Sequence, residues 1–269
     1  MIYAMSDIHG CIDALKERMN LVDLSGDNKI VFLGDYIDYG PASGQVLKFL
    51  NDLQQKYGND KIIVLKGNHE QMFLDWIDEY NNPYPDGTEE YLTHNDWLRT
   101  DFESGEDTIS SFLSESQTEH LKHMSETCSL ESTCREAVRM ILTAHEDMIG
   151  WIRRMPFYYE TEIQIFVHAG VNEKAGEYWE LDTTDGILLG KYPPTKGRFY
   201  KAVIAGHIGT GTIVDDRSFR EIFFDGMSHY YIDGSVYEGG KLLILGYDEN
   251  DGKYYQIEEQ GMIPVVAYK

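Results

Sequence analysis

The stretch IVFLGDYIDYG at residues 30–40 joins a strand-like apolar run to a cluster of polar side chains. Residues 30–33 form a short apolar segment of the kind that becomes a buried strand. Asp35 and Asp38 follow directly, and Gly34 lets the backbone turn sharply beside them. In open α/β sheets, ligands bind at the carboxyl ends of the strands. The stretch therefore predicts an α/β sheet with a functional site at this end.

Four further segments repeat the arrangement of an apolar run followed by a polar side chain suited to metal binding. The predicted strands at 2–6, 61–65, 163–167 and 202–205 lead into the blocks Asp7-Ile8-His9-Gly10, Gly67-Asn68-His69-Glu70, His168-Ala169-Gly170 and Gly206-His207. A single block of this kind is more often an ordinary capped turn. Five such blocks in one chain indicate a shared site instead.

The polar side chains of these blocks are hard oxygen donors and borderline nitrogen donors, with no thiolate among them. Such Asp, Asn and His ligands suit manganese, iron and zinc. Two cations held roughly 3.5–4 Å apart require a bridging carboxylate and several terminal ligands. The blocks supply enough donors, so the sequence predicts a dinuclear centre of two divalent metal ions, with manganese as the first expectation.

The order of the blocks resembles that of the calcineurin-like metallophosphoesterases, and within them the phosphoprotein phosphatase family. The resemblance covers nearly the whole chain, from Asp7 to about Asp248. It is strongest to the bacteriophage lambda and bacterial serine/threonine phosphatases, through residues 67–72 and 231–234, with a further trace at Trp97, Leu98, Thr108, Ser111 and Phe112. Bacterial diadenosine tetraphosphatases share most of the blocks and remain a close alternative.

The resemblance implies a four-layer α/β/β/α sandwich, in which two packed mixed sheets carry helices on their outer faces. The expected organisation is one domain over residues 1–269 with a helical, cap-like insertion at about 84–150. Apolar periodicity predicts helices near 11–20, 43–57 and 69–80, and within the insertion near 89–100, 106–114, 116–125 and 133–149. Loops are predicted at 81–87 and 186–197.

Strand follows strand after His207, without an intervening helical segment. The strand-like segments are 213–214, 222–224, 230–232, 242–245 and 254–257. We expect them to form a largely antiparallel second sheet that packs on the first.

The resemblance also implies a role for each ligand block. Asp7 and His9 would hold one metal, Asp35 would bridge both, and Asn68, His168 and His207 would complete the second. A hydroxide that bridges the two ions would attack phosphorus directly. His69 would protonate the leaving oxygen and Asp38 would orient it, because a carboxylate that accepts from one ring nitrogen fixes the tautomer and raises basicity at the other. Taken alone, Asp38 is equally compatible with a helix cap before Pro41.

One position departs from the family pattern. At this position the family carries an arginine whose guanidinium donates two charged hydrogen bonds to the substrate phosphate. This chain has Tyr39 there, and its hydroxyl offers a single uncharged donor. Tyr39 could still donate to phosphate. Lys191 and Arg198 lie in the stretch where a second phosphate-binding arginine is expected and could partly replace it, although each also fits a solvated surface charge.

Composition limits the classes of partner. The chain has 269 residues, 42% of them hydrophobic, and a formal net charge of −23, which repels nucleic acid and anionic membranes. Its three cysteines, Cys11, Cys128 and Cys134, predict neither a disulfide framework nor a zinc knuckle. No run of about 18 apolar residues and no leader-like start is present, so we expect a cytoplasmic protein.

The predicted function is a metal-dependent phosphatase that hydrolyses phosphomonoesters, most simply a serine/threonine or tyrosine protein phosphatase. Its substrate would be a phosphorylated protein or a small phosphoester. A dinucleoside tetraphosphate hydrolase is the alternative within the same chemistry. A relative that binds phosphorylated ligands without turnover is the alternative of another class, motivated by Tyr39 and opposed by the complete ligand set. The sequence does not indicate an oligomeric state.

Overall fold

A computed structural model describes residues 1–81 and 102–269 of the chain. Its strands are β1 Ile2–Met5, β2 Lys29–Phe32, β3 Ile62–Val64, β4 Tyr158–Glu160, β5 Gln164–Val167, β6 Ala202–Ala205, β7 Phe223–Phe224, β8 His229–Tyr231, β9 Leu245–Asp248, β10 Lys253–Glu258 and β11 Gly261–Pro264. Its α-helices are α1 Ile12–Met19, α2 Ser43–Tyr57, α3 Asn68–Asn81, α4 Phe102–Ser111, α5 Glu115–Thr127, α6 Leu130–Arg153, α7 Trp179–Asp182, α8 Asp185–Gly190 and α9 Thr210–Ile213. Short 3₁₀ segments cover Glu173–Tyr178 and Val236–Glu238.

The strands form two mixed sheets. Sheet 1 has the order β11-β10-β9-β1-β2-β3, with β1, β2 and β3 parallel and the three C-terminal strands antiparallel. Sheet 2 has the order β4-β5-β6-β8-β7, with β5, β6 and β8 parallel and both edge strands antiparallel. Parallel central strands bring the carboxyl ends of β1, β2, β3, β5 and β6 to one edge of the molecule.

Three apolar clusters produce the layers. Leu33, Leu65, Ile204 and Leu243 belong to the cluster between the two sheets. A second cluster packs the helices α1, α2, α3 and α6 on the outer face of sheet 1. A third buries Trp179 and neighbouring side chains on the outer face of sheet 2. Each sheet is therefore covered on both faces, which explains why its strands read as continuous apolar runs rather than alternating ones. The predicted sandwich of two mixed sheets with outer helices is confirmed.

The prediction of a separate antiparallel sheet after His207 is wrong. Strand β8 joins sheet 2 in parallel with β6, whereas β9 and β10 return to sheet 1 beside β1. An apolar run such as 242–245 indicates that the segment is buried on both faces. It does not indicate which sheet provides the neighbouring strand. Ile213 ends the short helix α9 instead of forming a strand, because the amides of Thr212 and Ile213 bond back to Gly209. The predicted loop at 186–197 likewise begins with helix α8.

The described part of the predicted insertion is helical and packs against the core. Helix α6 extends past the expected end to Arg153, with non-helical backbone at His145. Phe112, after α4, stacks on Phe73 of α3 with 5.4 Å between ring centroids. The helix near 89–100 and the trace at Trp97 and Leu98 lie outside the described residues. The single-domain organisation with an insertion at 84–150 stays a prediction.

Over residues 1–81 and 102–269, no helix combines the length and the apolar character required to cross a membrane.

Candidate metal centre

The backbone is strained where the strands of both sheets end. Eight non-glycine residues among those described have a positive φ, and six of them lie in or beside the predicted site, with φ between 46° and 71°: Asp7, His9, Asp35, Asp38, Tyr39 and His207. Non-glycine residues rarely adopt this left-handed conformation, which costs about 1 kcal/mol or more at each position. Such strain is retained at functional sites, where it aims side chains into a shared space.

Asp35 lies at the centre of the site. Its Oδ1 accepts the backbone N–H of His69 at 3.1 Å. Its Oδ2 lies 3.3 Å from His168 Nε2 and 3.8 Å from His9 Nε2. Two groups of potential metal ligands share this carboxylate: His9, Asp35 and His69 form one, and Asp35, His168 and His207 form the other. Within each group the donor atoms lie within 4.8 Å of one another, so the carboxylate of Asp35 is common to two possible metal sites.

Hydrogen bonds to backbone carbonyls orient two of the imidazoles. His9 Nδ1 donates to the carbonyl of Ile37 at 2.8 Å, and His168 Nδ1 donates to the carbonyl of Leu33 at 3.0 Å. In the neutral rings this leaves the Nε2 lone pairs facing the carboxylate of Asp35. Backbone orientation of a ring through its second nitrogen is the usual arrangement around metal-binding histidines. The donor set therefore fits divalent cations.

Asp7 and Asn68 complete the set of six predicted ligands. The carboxylate of Asp7 accepts the backbone N–H of His207 at 3.0 Å and lies 4.0 Å from His9 Nε2. Asn68 Oδ1 lies 2.8 Å from His168 Nε2 and 3.0 Å from His207 Nδ1. All six side chains predicted from the sequence converge on one space. Their assignment as ligands remains a proposal, argued below.

Burial and nearby charge shift the pKa values of the imidazoles in opposite directions. Burial lowers the pKa of His9 and of His207 to about 4, so these rings are neutral and ready to coordinate. Burial also acts to lower the pKa of His168, but Asp35 outweighs it and raises the value to about 9. For Asp35, burial raises the pKa, whereas His168 and His69 hold it well below its usual range. The central carboxylate is therefore ionised.

Two glycines permit the close approach of backbone to these carboxylates. A Cβ atom on Gly67 would lie 2.1 Å from Asp35 Oδ1, and one on Gly206 would lie 2.1 Å from Asp7 Oδ2. Both distances are far inside van der Waals contact. Any side chain at either position would displace a predicted ligand.

Glu70 holds the loop that carries Asp35. Its buried carboxylate accepts backbone N–H groups from Asp35 at 2.9 Å, Tyr36 at 2.7 Å, Ile37 at 3.3 Å and Gly67 at 2.9 Å. One side chain on α3 thus fixes both the β2 loop and the β3 loop. Glu70 ends the Gly67-Asn68-His69-Glu70 block, but the sequence predicts no role for it, because this bonding is visible only once the two loops are adjacent.

We expect Glu70→Ala to lower the free energy of unfolding by about 3 kcal/mol or more, because four backbone donors lose the buried charged acceptor that they share. The urea midpoint measures this. Glu70→Gln keeps one acceptor oxygen and should lose less, and Glu119→Ala on the exposed surface of α5 should change the midpoint little. Equal midpoints for Glu70→Ala and wild type would contradict the anchoring role.

His69 and Asp38 form a buried pair beside the ligands. His69 Nδ1 donates to Asp38 Oδ2 at 2.6 Å, and its Nε2 lies 3.9 Å from Asp35 Oδ2. Burial acts to lower the pKa of His69, but Asp35 and the hydrogen bond to Asp38 raise it to about 9. The hydrogen bond to Asp38 favours the protonated ring that a proton donor requires.

Thr108 connects this pair to the insertion. Its hydroxyl donates to Asp38 Oδ1 at 2.6 Å and lies 3.0 Å from Ser43 Oγ. Ser111, on the same helix α4, accepts the backbone N–H of Gly44 at 2.9 Å. Thr108 and Ser111 belonged to the family trace in the sequence. Their observed contacts place α4 directly behind the orienting carboxylate.

We expect Thr108→Val, which keeps the shape of the side chain, to lower kcat about tenfold while leaving KM nearly unchanged. The change removes the hydrogen bond to the Asp38 carboxylate, which is worth about 1.5 kcal/mol, and also the contacts of the hydroxyl with the Asp38 backbone N–H and Ser43, so Asp38 is held less firmly behind His69. Steady-state kinetics with a phosphomonoester measures the effect. Thr118→Val on α5 is the matched control, and identical kcat values for the two variants would contradict the positioning role.

The three predicted phosphate-binding residues are placed differently. Tyr39 packs edge-to-face against His9 and His69, with 4.9 Å and 5.3 Å between ring centroids. Lys191 lies near Gly170 but forms an ion pair with Glu173 and donates to the carbonyl of Val171. Arg198 is exposed. Only Tyr39 is shown in contact with side chains of the metal centre.

Asp233 was not predicted as a site residue. It is 6% exposed, burial raises its pKa to about 6, and its charge helps to raise the pKa of Asp7. A signal was present in the sequence, since Asp233 follows strand β8 and precedes Gly234, which is the same pattern as the other blocks. The carboxylate contributes to the negative field that a pair of cations would neutralise.

The fold agrees with the comparisons to known proteins. A family model for calcineurin-like phosphoesterases matches residues 1–211. The chain therefore belongs to the calcineurin-like phosphoesterases, a family of hydrolases.

Two curated relatives match shorter stretches. A Caenorhabditis elegans protein, named among the serine/threonine-protein phosphatases, is 38% identical over 69 residues, or 26% of this chain and 19% of that protein. A symmetrical bis(5′-nucleosyl)-tetraphosphatase of Wigglesworthia glossinidia brevipalpis is 36% identical over 69 residues, or 25% of this chain and 24% of that protein. The matched stretches thus span about a quarter or less of these relatives.

A solved structure supports the fold. The cold-active protein tyrosine phosphatase of a psychrophilic Shewanella species aligns with a TM-score of 0.52 at 16% identity, over 96% of this chain and 80% of that one. Likeness at this identity extends to the architecture alone.

Proposed function

We propose that this chain is a metal-dependent phosphatase that hydrolyses phosphomonoesters at the site around Asp35. The observation that carries the proposal is the carboxylate of Asp35, which lies near His9 on one side and near His168 and His207 on the other, while His69, paired with Asp38, lies 3.9 Å from it. A binding module needs neither a shared carboxylate nor a buried proton donor. The combination supports hydrolysis over binding without turnover.

In the proposed centre, Asp7 and His9 would hold one divalent ion, Asn68, His168 and His207 would hold a second, and Asp35 would serve both. When bound, two such ions lower the pKa of water and neutralise charge on phosphoryl oxygens, and manganese is the ion we propose. The chain itself supplies the proton. His69, protonated and oriented by Asp38, donates from Nε2 to the oxygen of the departing group.

Two substrate classes are candidates for hydrolysis at this site. The relative named as a serine/threonine-protein phosphatase supports a phosphorylated protein as substrate. The tetraphosphatase relative supports a dinucleoside tetraphosphate as the second candidate. The formal charge of −23 favours the first, because it opposes the approach of a polyanionic dinucleotide. The same negative charge repels nucleic acid and anionic membranes, so we propose neither as a partner. We also propose a cytoplasmic location.

The test offers the manganese-loaded protein a phosphopeptide and, separately, a diadenosine tetraphosphate. The proposal predicts release of inorganic phosphate from the first at the higher kcat/KM. Nucleotides produced from the second as the preferred reaction would make the chain a tetraphosphatase. Tight binding of either compound without any product would overturn the assignment as an enzyme.

A further inference from the structure

Two tyrosines form a stacked pair at the edge of the proposed centre. The rings of Tyr39 and Tyr237 have centroids 4.4 Å apart and are inclined by only 14°. The side chains are 37% and 38% exposed, respectively. Tyr39 follows Asp38 in the loop after β2, and Tyr237 comes from a distant part of the chain. The two rings together form an aromatic wall beside the proposed centre.

The wall borders two histidines of the proposed centre. The ring of Tyr237 lies 5.0 Å from that of His9, and the ring of Tyr39 lies 5.3 Å from that of His69, centroid to centroid. His69 is the proposed proton donor, so the atoms bonded to the departing oxygen must lie next to it. They consequently lie next to Tyr39 as well.

The loop that presents Tyr237 is fixed by its backbone. Ser235 has a left-handed φ of 51° and donates its N–H to Asp233 Oδ1 at 2.7 Å. The amide of Gly240 bonds back to the carbonyl of Ser235 at 3.0 Å. A Cβ atom on Gly240 would lie 1.9 Å from the carbonyl of Gly234, so only glycine permits this closure. Tyr237 is therefore held in place rather than recruited by a ligand.

We propose that the Tyr39–Tyr237 wall selects substrates whose scissile oxygen is bonded directly to an aromatic ring, as in the phenolic phosphate of a phosphotyrosine side chain. This inference rests on the proposed function. Offset or edge-to-face contact between rings adds affinity beyond the area that is buried, which an aliphatic leaving group cannot gain. In a nucleotide, the ribose separates the base from the departing oxygen and carries it away from the wall.

The test compares two inert phosphonates with the same carbon count, phenylphosphonate and n-hexylphosphonate. Dissociation constants are measured by calorimetry on the full manganese-loaded chain, with inorganic phosphate as a third ligand. We expect wild type to bind phenylphosphonate about 2- to 12-fold more tightly than hexylphosphonate. Tyr237→Leu, which keeps an apolar side chain, should bring this ratio close to one, and Tyr237→Phe should retain it. Both Tyr237 variants should bind inorganic phosphate as wild type does.

The outcomes distinguish failure of the proposed selectivity from failure of the proposed phosphatase function on which it rests. Equal affinity of wild type for the two phosphonates, together with intact phosphate binding, overturns the aromatic wall and leaves the proposed phosphatase standing. A preference that persists in Tyr237→Leu and in Tyr39→Leu also overturns it. Absence of phosphate binding by wild type overturns the proposed function, and the inference with it.

Discussion

His69→Asn is expected to lower kcat by about 100-fold or more on an alkyl phosphate, and by far less on p-nitrophenyl phosphate. An alkoxide leaves poorly without a proton, whereas p-nitrophenolate departs readily without one. His69 is the residue placed to supply it, because its Nδ1 is bonded to Asp38 at 2.6 Å and its Nε2 faces Asp35. Steady-state kinetics on both substrates measures the ratio of the two losses.

The control for this substitution is His120→Asn, the same change at an exposed histidine of α5. It should leave both rates unchanged. The His69 variant should also retain two bound manganese ions, since six other side chains are proposed to hold them. Equal losses on the two substrates would mean that His69 serves the metal centre and does not act as the proton donor.

Asp35→Asn is expected to abolish the manganese binding that depends on the carboxylate common to the two ligand groups. Turnover should fall at least 1000-fold. The carboxylate lies 3.3 Å from His168 and 3.8 Å from His9, so its loss affects both ligand groups. An amide carries no charge and cannot offset two cations, so the protein should retain at most one weakly bound ion. Calorimetric titration with manganese measures the stoichiometry.

Asp52→Asn removes the same charge from an exposed position on α2, where Asp52 pairs with Lys48. This control should bind two ions as wild type does. Circular dichroism on the Asp35 variant establishes that its fold is retained. Two ions bound by a folded Asp35→Asn protein would show that the bridge lies elsewhere.

Much of the fold follows from local patterns in the sequence. The helix predicted at 43–57 is observed with the same bounds, because Val46, Leu47 and Leu50 mark a clear apolar stripe. The strands that lead into the ligand blocks were also placed to within a residue or two. Pairing among the C-terminal strands was predicted wrongly. Which strand pairs with the edge of β1 depends on contacts between segments that are distant in sequence. The composition of β9 does not indicate that β1 is its partner.

The convergence of the site was predictable because strand ends in an α/β sheet share one edge. Each of the six expected ligands, together with His69 and Asp38, reaches the same space. The supporting contacts were less accessible. Thr108 and Tyr237 act across large sequence separations and belong to no strand-end block, so only the assembled structure brings them to Asp38 and Tyr39.

Hydrolysis of p-nitrophenyl phosphate by metal-stripped protein, followed as manganese is added stepwise, tests the central claim most directly. If two ions act together at Asp35, turnover will be absent without metal and will rise to a plateau at two equivalents per chain. The Asp35→Asn protein will stay inactive throughout. Turnover that is already maximal in stripped protein, or that is equal in the variant, would contradict a dinuclear phosphoesterase built on this carboxylate.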